Sequence, residues 1–201
     1  MDTLFEPVAW YDIVGQMRRA LCVVELMRTF IPFLLFRKPS KAYPTVLEYA
    51  RKIKAELPKE GKLGVAGFCW GGWPSTKLCT ETATQGGGGN LIDAQFTAHP
   101  SFISKDMVVE AVTKHKVPYA LALGSKDHAF KKSVAEETEA EIREKTGSKG
   151  TGEGGYVWDF KFYEDCGHGF AVRAAPGNKV ETQGSEDAAD QAIGWFKKHL
   201  S

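Results

Sequence analysis

Three side chains of catalytic type follow predicted strands, in the order cysteine, aspartate, histidine. Cys69 comes directly after the first predicted strand, Asp127 just after the third and His168 just after the fourth. The carboxyl ends of parallel strands form the ligand crevice of an open sheet, so we expect these side chains to meet there. In such a group the imidazole accepts the thiol proton or stabilises a thiolate, and the carboxylate fixes the imidazole tautomer. The spacing therefore predicts nucleophilic catalysis by a cysteine.

The segment Gly67-Phe68-Cys69-Trp70-Gly71-Gly72 joins the end of a strand to the start of a helix. Glycines two residues before and two after Cys69 leave space for a sharp turn that holds the thiol clear of the sheet. The N-terminus of the following helix is expected to lower the thiol pKa, because the helix dipole favours negative charge. We expect the backbone N–H of Trp70 to supply one oxyanion-hole donor.

Each of these residue types also has an ordinary structural use. A cysteine after a strand is often a buried small hydrophobe, and an aspartate in that position often caps a helix. A metal site is a further alternative, because Cys166 and His168 form a C-x-H pair. Zinc sites draw on more ligands at recognisable spacings, however, so we expect no metal and expect Cys166 to pack beneath the histidine loop. The joint order and strand-end placement of the three residues favour catalysis.

Strands and helices alternate along the chain, which predicts an α/β fold with a mostly parallel sheet flanked by helices. Strands are predicted at residues 62–68, 92–99, 117–123 and 156–163, and helices at 8–30, 45–57, 71–84, 105–114, 131–146 and from an N-cap at Ser185. The first strand is apolar and uncharged, as is typical of a strand buried on both faces. Residues 156–163 alternate strictly, which indicates an edge strand with one wet face. Pro32 is expected to kink or end the first helix.

Two further segments carry specific expectations. The glycine tract at residues 85–90 is predicted to be a flexible loop, since no G-K-[ST] follows it as a phosphate-binding loop requires. The last helix should bury an apolar stripe formed by Ala189, Ala192, Ile193, Phe196 and Leu200.

Length, charge and cysteine content limit the class of protein. A chain of 201 residues suits a single domain spanning residues 1–201. A formal net charge of +1 argues against nucleic-acid binding. Four cysteines in a chain of this length do not suggest a disulfide scaffold, so we expect them to be reduced and intracellular. No signal peptide is evident at the N-terminus.

Residues 21–36 form the most apolar stretch, interrupted by Glu25, Arg28 and Pro32. Sixteen residues fall short of the roughly 20 that span a bilayer. We therefore expect a buried or interfacial helix and no membrane span, with shallow membrane association as the alternative.

With these residues assigned, the chain resembles the dienelactone hydrolase family of the α/β-hydrolase superfamily, particularly its fungal members. G-V-A-G-F-C-W-G-G around Cys69 is similar to the family's nucleophile elbow, A-L-G-S-K-D at 122–127 to its acid segment, and C-G-H-G-F-A-V-R at 166–173 to its histidine segment. The order nucleophile, acid, histidine is also that of α/β-hydrolases. The resemblance covers residues 61–200 well and the preceding helices more loosely.

The resemblance implies a cytoplasmic carboxymethylenebutenolidase-like enzyme that needs no cofactor. Its reaction would be hydrolysis of a small-molecule lactone or carboxylic ester through a Cys69-Asp127-His168 triad and a thioester acyl-enzyme. Arg173 matches an arginine that can bind a substrate carboxylate as a bidentate pair. His99, in Ala98-His99-Pro100-Ser101, is a candidate pocket-lining residue. The oligomeric state is expected to be a monomer or a homodimer.

Family members carry several strands and a helix before the segment that corresponds to residues 1–51, so the resemblance also implies an N-terminally shortened chain. The missing part would supply the second oxyanion-hole N–H and an acidic residue that primes the thiol. Its absence would leave one side of the elbow strand unpaired. The alternative function is therefore a catalytically weak or inactive relative that acts as a binding or interaction protein through the same crevice and the apolar 21–36 segment.

Overall fold

The structure is a computed structural model that describes residues 12–36 and 38–201. The chain falls into two compact units, and the boundary between them lies between Ala42 and Tyr43. The expectation of a single domain over residues 1–201 stays a prediction.

The first unit contains helix α1 (Ile13–Phe36) and the start of helix α2 (Pro39–Glu56), which continues into the second unit. The prediction that Pro32 kinks or ends the first helix is wrong about the end, because α1 continues through Pro32 to Phe36, and the kink stays a prediction. The predicted helical residues 8–11 lie outside the described residues. For the buried or interfacial helix expected at residues 21–36, the buried alternative is wrong, because Leu21, Val24 and Met27 are each more than half exposed, and the interfacial alternative stays a prediction. Among the described residues, no helix combines the length and hydropathy that crossing a membrane requires.

A parallel four-stranded sheet organises the second unit. Its strands are β1 (Gly64–Phe68), β4 (Ala94–Ala98), β5 (Tyr119–Gly124) and β6 (Trp158–Tyr163), in the order β1-β4-β5-β6. Helices α3 (Gly72–Leu78), α4 (Lys105–Thr113), α5 (Lys132–Thr146) and α6 (Lys179–Leu200) follow β1, β4, β5 and β6 along the chain. The predicted fold class, a mostly parallel sheet flanked by helices, is confirmed.

The two faces of the sheet are packed differently. Tyr119, Leu121 and Leu123 of β5 point into a core formed with α2, α3, α4 and α5. Ala120 and Ala122, which alternate with them, pack in the core on the α6 side. All five residues are fully buried, so the centre of the sheet is a rigid platform for the loops that follow its strands.

The edge strands of this sheet are β1 and β6, and the prediction for β1 differs from the structure. The prediction that the elbow strand is buried on both faces is wrong: β1 pairs with β4 alone among the described strands, and Ala66 and Phe68 are exposed. The predicted edge position of β6 is confirmed, with Asp159 and Lys161 exposed between less exposed aromatic residues.

The segment after α3 forms a hairpin. The predicted helix over 71–84 ends at Leu78, and β2 (Thr82–Thr84) pairs antiparallel with β3 (Gly87–Asn90). The expectation of a flexible loop at 85–90 is therefore wrong. Gly86 has φ +84° at the second central position of the turn, where a type II turn requires positive φ and glycine adopts it without steric cost.

The last helix begins earlier than predicted. Asn178 is its N-cap, and its side chain accepts hydrogen bonds from the N–H groups of Val180 and Glu181. Ser185 lies inside α6 and donates its hydroxyl to the carbonyl of Ala171. The predicted apolar stripe is wrong at Ala189 and Ile193, which are exposed, whereas Ala192, Phe196 and Leu200 are half-buried. The buried residues of the helix include Ala188 and Trp195.

Candidate active site

The turn after β1 holds Cys69 in a strained backbone conformation. Cys69 has φ +49° and begins a 3₁₀ turn (Cys69–Gly71) that leads into α3. A methyl group at Gly67 would overlap Ser75 Oγ, and one at Gly72 would overlap Pro100. Gly71 has open space around it, so the close packing of the elbow requires Gly67 and Gly72.

The structure brings Cys69, His168 and Asp127 into one hydrogen-bonded row. His168 Nε2 lies 3.1 Å from Cys69 Sγ, and His168 Nδ1 lies 3.0 Å from Asp127 Oδ2 and 3.1 Å from Oδ1. The Asp127 side chain is fully buried, and that of His168 is 15% exposed. The row has the geometry of a nucleophile, a base and an orienting carboxylate.

Backbone groups fix the carboxylate. Oδ1 of Asp127 accepts hydrogen bonds from the N–H groups of Ala129 at 2.7 Å and Phe130 at 3.3 Å. A short polar side chain commonly bonds to the backbone two residues on in this way. Oδ1 thus anchors the side chain, and both carboxylate oxygens lie within hydrogen-bond distance of the imidazole.

The electrostatics of the row favour a thiolate facing an imidazolium. Burial raises the pKa of Cys69, but the hydrogen bonds from His168 and Ser101, the charge of His168 and the Trp70 N–H outweigh it, so this pKa lies below its ordinary value. The hydrogen bond with Asp127 raises the pKa of His168 to about 9, against the opposing effect of burial. Burial also raises the pKa of Asp127, yet its hydrogen bonds with His168, Ala129 and Phe130 hold it below its ordinary value.

Ser101 belongs to the site although the sequence analysis did not select it. Its Oγ lies 3.7 Å from Cys69 Sγ and 3.5 Å from His168 Nε2. Its backbone N–H donates to the carbonyl of Cys69 at 2.8 Å. The parallel pairing of Phe68 with Ala98 brings the chain after β4 beside the elbow. A serine in a loop carries no signal for such a contact; only the strand pairing reveals it.

The remaining predicted site residues lie around this row. The backbone N–H of Trp70 favours the charged form of the Cys69 sulfur, as a donor at the elbow would. Arg173 is exposed, and its guanidinium has no carboxylate partner among the residues that the structure describes. Cys166 is buried with its Sγ near the carbonyl of Val180 in α6.

His99 is fully buried behind the imidazole of His168. Their ring centroids are 5.2 Å apart in an edge-to-face arrangement, and Phe68 and Phe170 pack on the other sides of His99. Neither of its ring nitrogens has a hydrogen-bond partner in the described part of the chain. Burial and the neighbouring charge of His168 lower the pKa of His99 to about 4. A substrate-binding role for His99 stays a prediction.

The neutral state of His99 should make the fold sensitive to acid. The imidazole titrates near 6.5 in the unfolded chain and near 4 in the folded protein. Below pH 6.5 the unfolded state therefore binds a proton that the folded state does not, and the free energy of unfolding decreases until the pH reaches about 4. The loss corresponds to about 3 kcal/mol. Denaturant titrations of wild type and His99→Phe should therefore give a difference in free energy of unfolding that is constant above pH 7. Between pH 6.5 and 4 the difference should shift in favour of the variant. If the free energies of unfolding of the two proteins fall in parallel below pH 6.5, His99 is not the group responsible for the acid sensitivity.

No group of three or more His, Cys, Asp or Glu side chains in residues 12–36 and 38–201 is arranged to hold a metal ion.

The chain is similar to the proteins of one hydrolase family and to a fungal hydrolase. The model of the dienelactone hydrolase family matches residues 34–200. The hydrolase tropI of Talaromyces stipitatus is 28% identical over 142 residues, which cover 69% of this chain and 46% of that protein. The chain thus spans about half the length of this curated relative.

Two solved structures share the fold. Esterase 2 of Thermogutta terrifontis, phosphorylated by paraoxon, has a TM-score of 0.55 at 12% identity and covers 78% of this chain and 64% of its own. Acyl-protein thioesterase 2 of Zea mays has a TM-score of 0.51 at 14% identity, and the match covers 80% of this chain and 66% of the thioesterase chain. Both are α/β-hydrolases, and identities this low show the fold alone. The family model extends over most of the chain and includes all three predicted strand-end residues, so this chain belongs to the dienelactone hydrolase family.

Proposed function

We propose that this chain hydrolyses a carboxylic ester or lactone through a thioester formed on Cys69. The observation that carries the proposal is the hydrogen-bonded row of Asp127, His168 and Cys69, with 3.1 Å between the sulfur and Nε2. Membership of a hydrolase family supports the same reaction class.

The row can carry out both halves of the reaction. The Cys69 thiolate attacks the substrate carbonyl carbon, and the carbonyl electron pair moves to the oxygen, which the Trp70 N–H stabilises. The oxyanion then collapses and expels the alkoxide, which takes the Nε2 proton of His168. Nε2 next accepts a proton from water, the hydroxide attacks the thioester, and the thiolate leaves. The net result is ester and water converted to acid and alcohol, with the enzyme regenerated.

Arg173 supports a substrate that carries a carboxylate. Its exposed guanidinium lies close enough to the site to disfavour protonation of His99. A guanidinium pairs with a carboxylate through two parallel hydrogen bonds, which an ammonium group cannot reproduce. The proposed substrate class is therefore an ester or lactone with a carboxylate near the scissile bond.

Trapping the acyl-enzyme tests the proposal. Acid quenching during p-nitrophenyl acetate turnover should leave one acetyl group on the protein, and peptide mass spectrometry should place it on Cys69. The Cys22→Ser variant should trap the same acetyl group, because Cys22 lies in α1, and the Cys69→Ala variant should trap none. Full turnover with no label on Cys69 would contradict the thioester mechanism.

A binding or interaction protein is the second candidate, favoured by the apolar side chains that α1 exposes. It predicts no ester turnover and ordinary alkylation behaviour of the Cys69 thiol. A low alkylation pKa at Cys69 together with a trapped acyl group would exclude it.

A further inference from the structure

The hydroxyl of Ser101 contacts both reacting atoms of the proposed site. Its Oγ is 3.7 Å from Cys69 Sγ and 3.5 Å from His168 Nε2. Among the described residues it has no other hydrogen-bond partner, in contrast to Ser75, Ser104 and Ser125, whose hydroxyls bond to backbone groups. The Ser101 hydroxyl is therefore free of any structural hydrogen bond.

The backbone positions Ser101 independently of its side chain. Its N–H donates to the carbonyl of Cys69 at 2.8 Å, and the preceding His99 N–H donates to the carbonyl of Ala122 at 2.9 Å. Pro100 packs against Gly72 at the start of α3. These contacts tie the loop after β4 to the elbow, so removing the hydroxyl should leave the loop in place.

The direction of the hydroxyl follows from what surrounds it. The Nε2–H of His168 points to the sulfur at 3.1 Å, and a negatively charged sulfur is the strongest acceptor within reach. A serine hydroxyl rotates to suit its neighbours. We propose that Ser101 is a further catalytic residue of this site, donating a hydrogen bond to the Cys69 thiolate.

This role acts at two points of the reaction. The hydrogen bond increases the thiolate fraction before attack on the ester. It also stabilises the same thiolate as the leaving group when water attacks the thioester, because the sulfur regains its negative charge in that step. The expected effect of Ser101 on kcat/KM rests on the proposed function, whereas its expected effect on the pKa of the Cys69 thiol does not.

Several other titratable or charged groups surround the sulfur and must be held constant in any test. They come from the loops after β4, β5 and β6, and are His99, Asp127, His128, His168 and Arg173. Substitutions at Ser101 leave all of them unchanged, so a change in thiol reactivity reports the hydroxyl.

The test measures the pH dependence of iodoacetamide alkylation at Cys69, followed by peptide mass spectrometry. Ser101→Ala should raise the alkylation pKa by about one unit and lower kcat/KM for p-nitrophenyl acetate roughly tenfold. Ser101→Thr keeps the hydroxyl and Ser101→Val has the same shape without it, so the pair separates hydrogen bonding from volume. Ser101→Thr should behave like wild type and Ser101→Val like Ser101→Ala. Ser104→Ala, the same substitution in the same loop, should leave the alkylation pKa unchanged.

Equal alkylation pKa values in wild type, Ser101→Ala and Ser101→Val would overturn the role of Ser101 and leave the proposed function intact. An ordinary wild-type alkylation pKa without turnover would instead overturn the proposed function. If Ser101→Ala is unfolded by circular dichroism, the comparison of Ser101→Thr with Ser101→Val decides the question. Should Ser101→Val also unfold, Ser101→Gly, which removes the hydroxyl without adding volume, decides in the same way: a raised alkylation pKa of Cys69 supports the role, and an unchanged one overturns it.

Discussion

The Cys69→Ala variant should lose ester hydrolysis by about 10⁴-fold or more in kcat, because the attacking atom and the thioester disappear together. The variant should fold, since the Cys69 side chain is only partly buried and the elbow packing depends on Gly67 and Gly72. The measurement is initial-rate kinetics with p-nitrophenyl acetate and with a carboxylate-bearing lactone.

Two companion variants make this result specific. His168→Ala should fall to a similar level, since members of one catalytic unit are strongly non-additive. Cys22→Ser removes a thiol from α1 and should keep wild-type turnover. Wild-type rates in both Cys69→Ala and His168→Ala would rule out the proposed mechanism. Absence of turnover in the wild type itself would favour the binding-protein alternative.

The Asp127→Asn variant should reduce kcat/KM by about 10³–10⁴-fold while leaving the fold intact. The asparagine oxygen can still accept from the N–H groups of Ala129 and Phe130, as Oδ1 does now. The amide nitrogen would then take the place of Oδ2 at 3.0 Å from His168 Nδ1, while the amide oxygen stays at 3.1 Å. The substitution weakens the preference for the Nδ1–H tautomer, removes the charge that stabilises imidazolium and raises the thiol pKa.

The pH–rate profile together with the alkylation pKa of Cys69 checks this second prediction, because a merely structural role would move neither. Asp165→Asn is the matched control, since Asp165 pairs with Lys126 in an exposed ion pair beside the same loops. A thermal unfolding curve like that of wild type should accompany the loss. An unaltered alkylation pKa in Asp127→Asn would contradict the role assigned to the carboxylate.

The residues that meet at the strand ends could be found from sequence because each closely follows a strand with a clear hydrophobic pattern. Cys69, Asp127 and His168 follow β1, β5 and β6, and a parallel sheet necessarily brings those ends to one edge. The buried strands β4 and β5 and the alternating strand β6 carry strong patterns for the same reason. Ser101 carried no pattern, since its place beside Cys69 depends on which strand pairs with β1.

The errors have local physical causes. Asn178 and Ser185 are both good N-caps, and a sequence does not say which of them the preceding loop makes available. The glycine tract after Thr84 lacks side chains that indicate a strand, yet Gly86 supplies the turn that pairs β2 with β3. The apolar sequence of β1 is typical of a central strand, yet β1 lies at the edge of the described sheet. A hydrophobic pattern indicates how polar a strand is and not how many strands pair with it.

Among the residues that the structure describes, three of the five non-glycine residues with left-handed backbone angles lie at the elbow or in the loop after β4. Cys69, His99 and Phe102 have φ values of +49°, +38° and +65°, and none of them is glycine. Such conformations cost about 1–3 kcal/mol each, and the rest of the fold must supply that energy. Selection for stability alone would favour glycine at these positions, whereas the chain retains a thiol, an imidazole and an aromatic ring. The surroundings of Cys69 therefore represent a trade-off in which folding free energy is given up for a fixed reactive geometry.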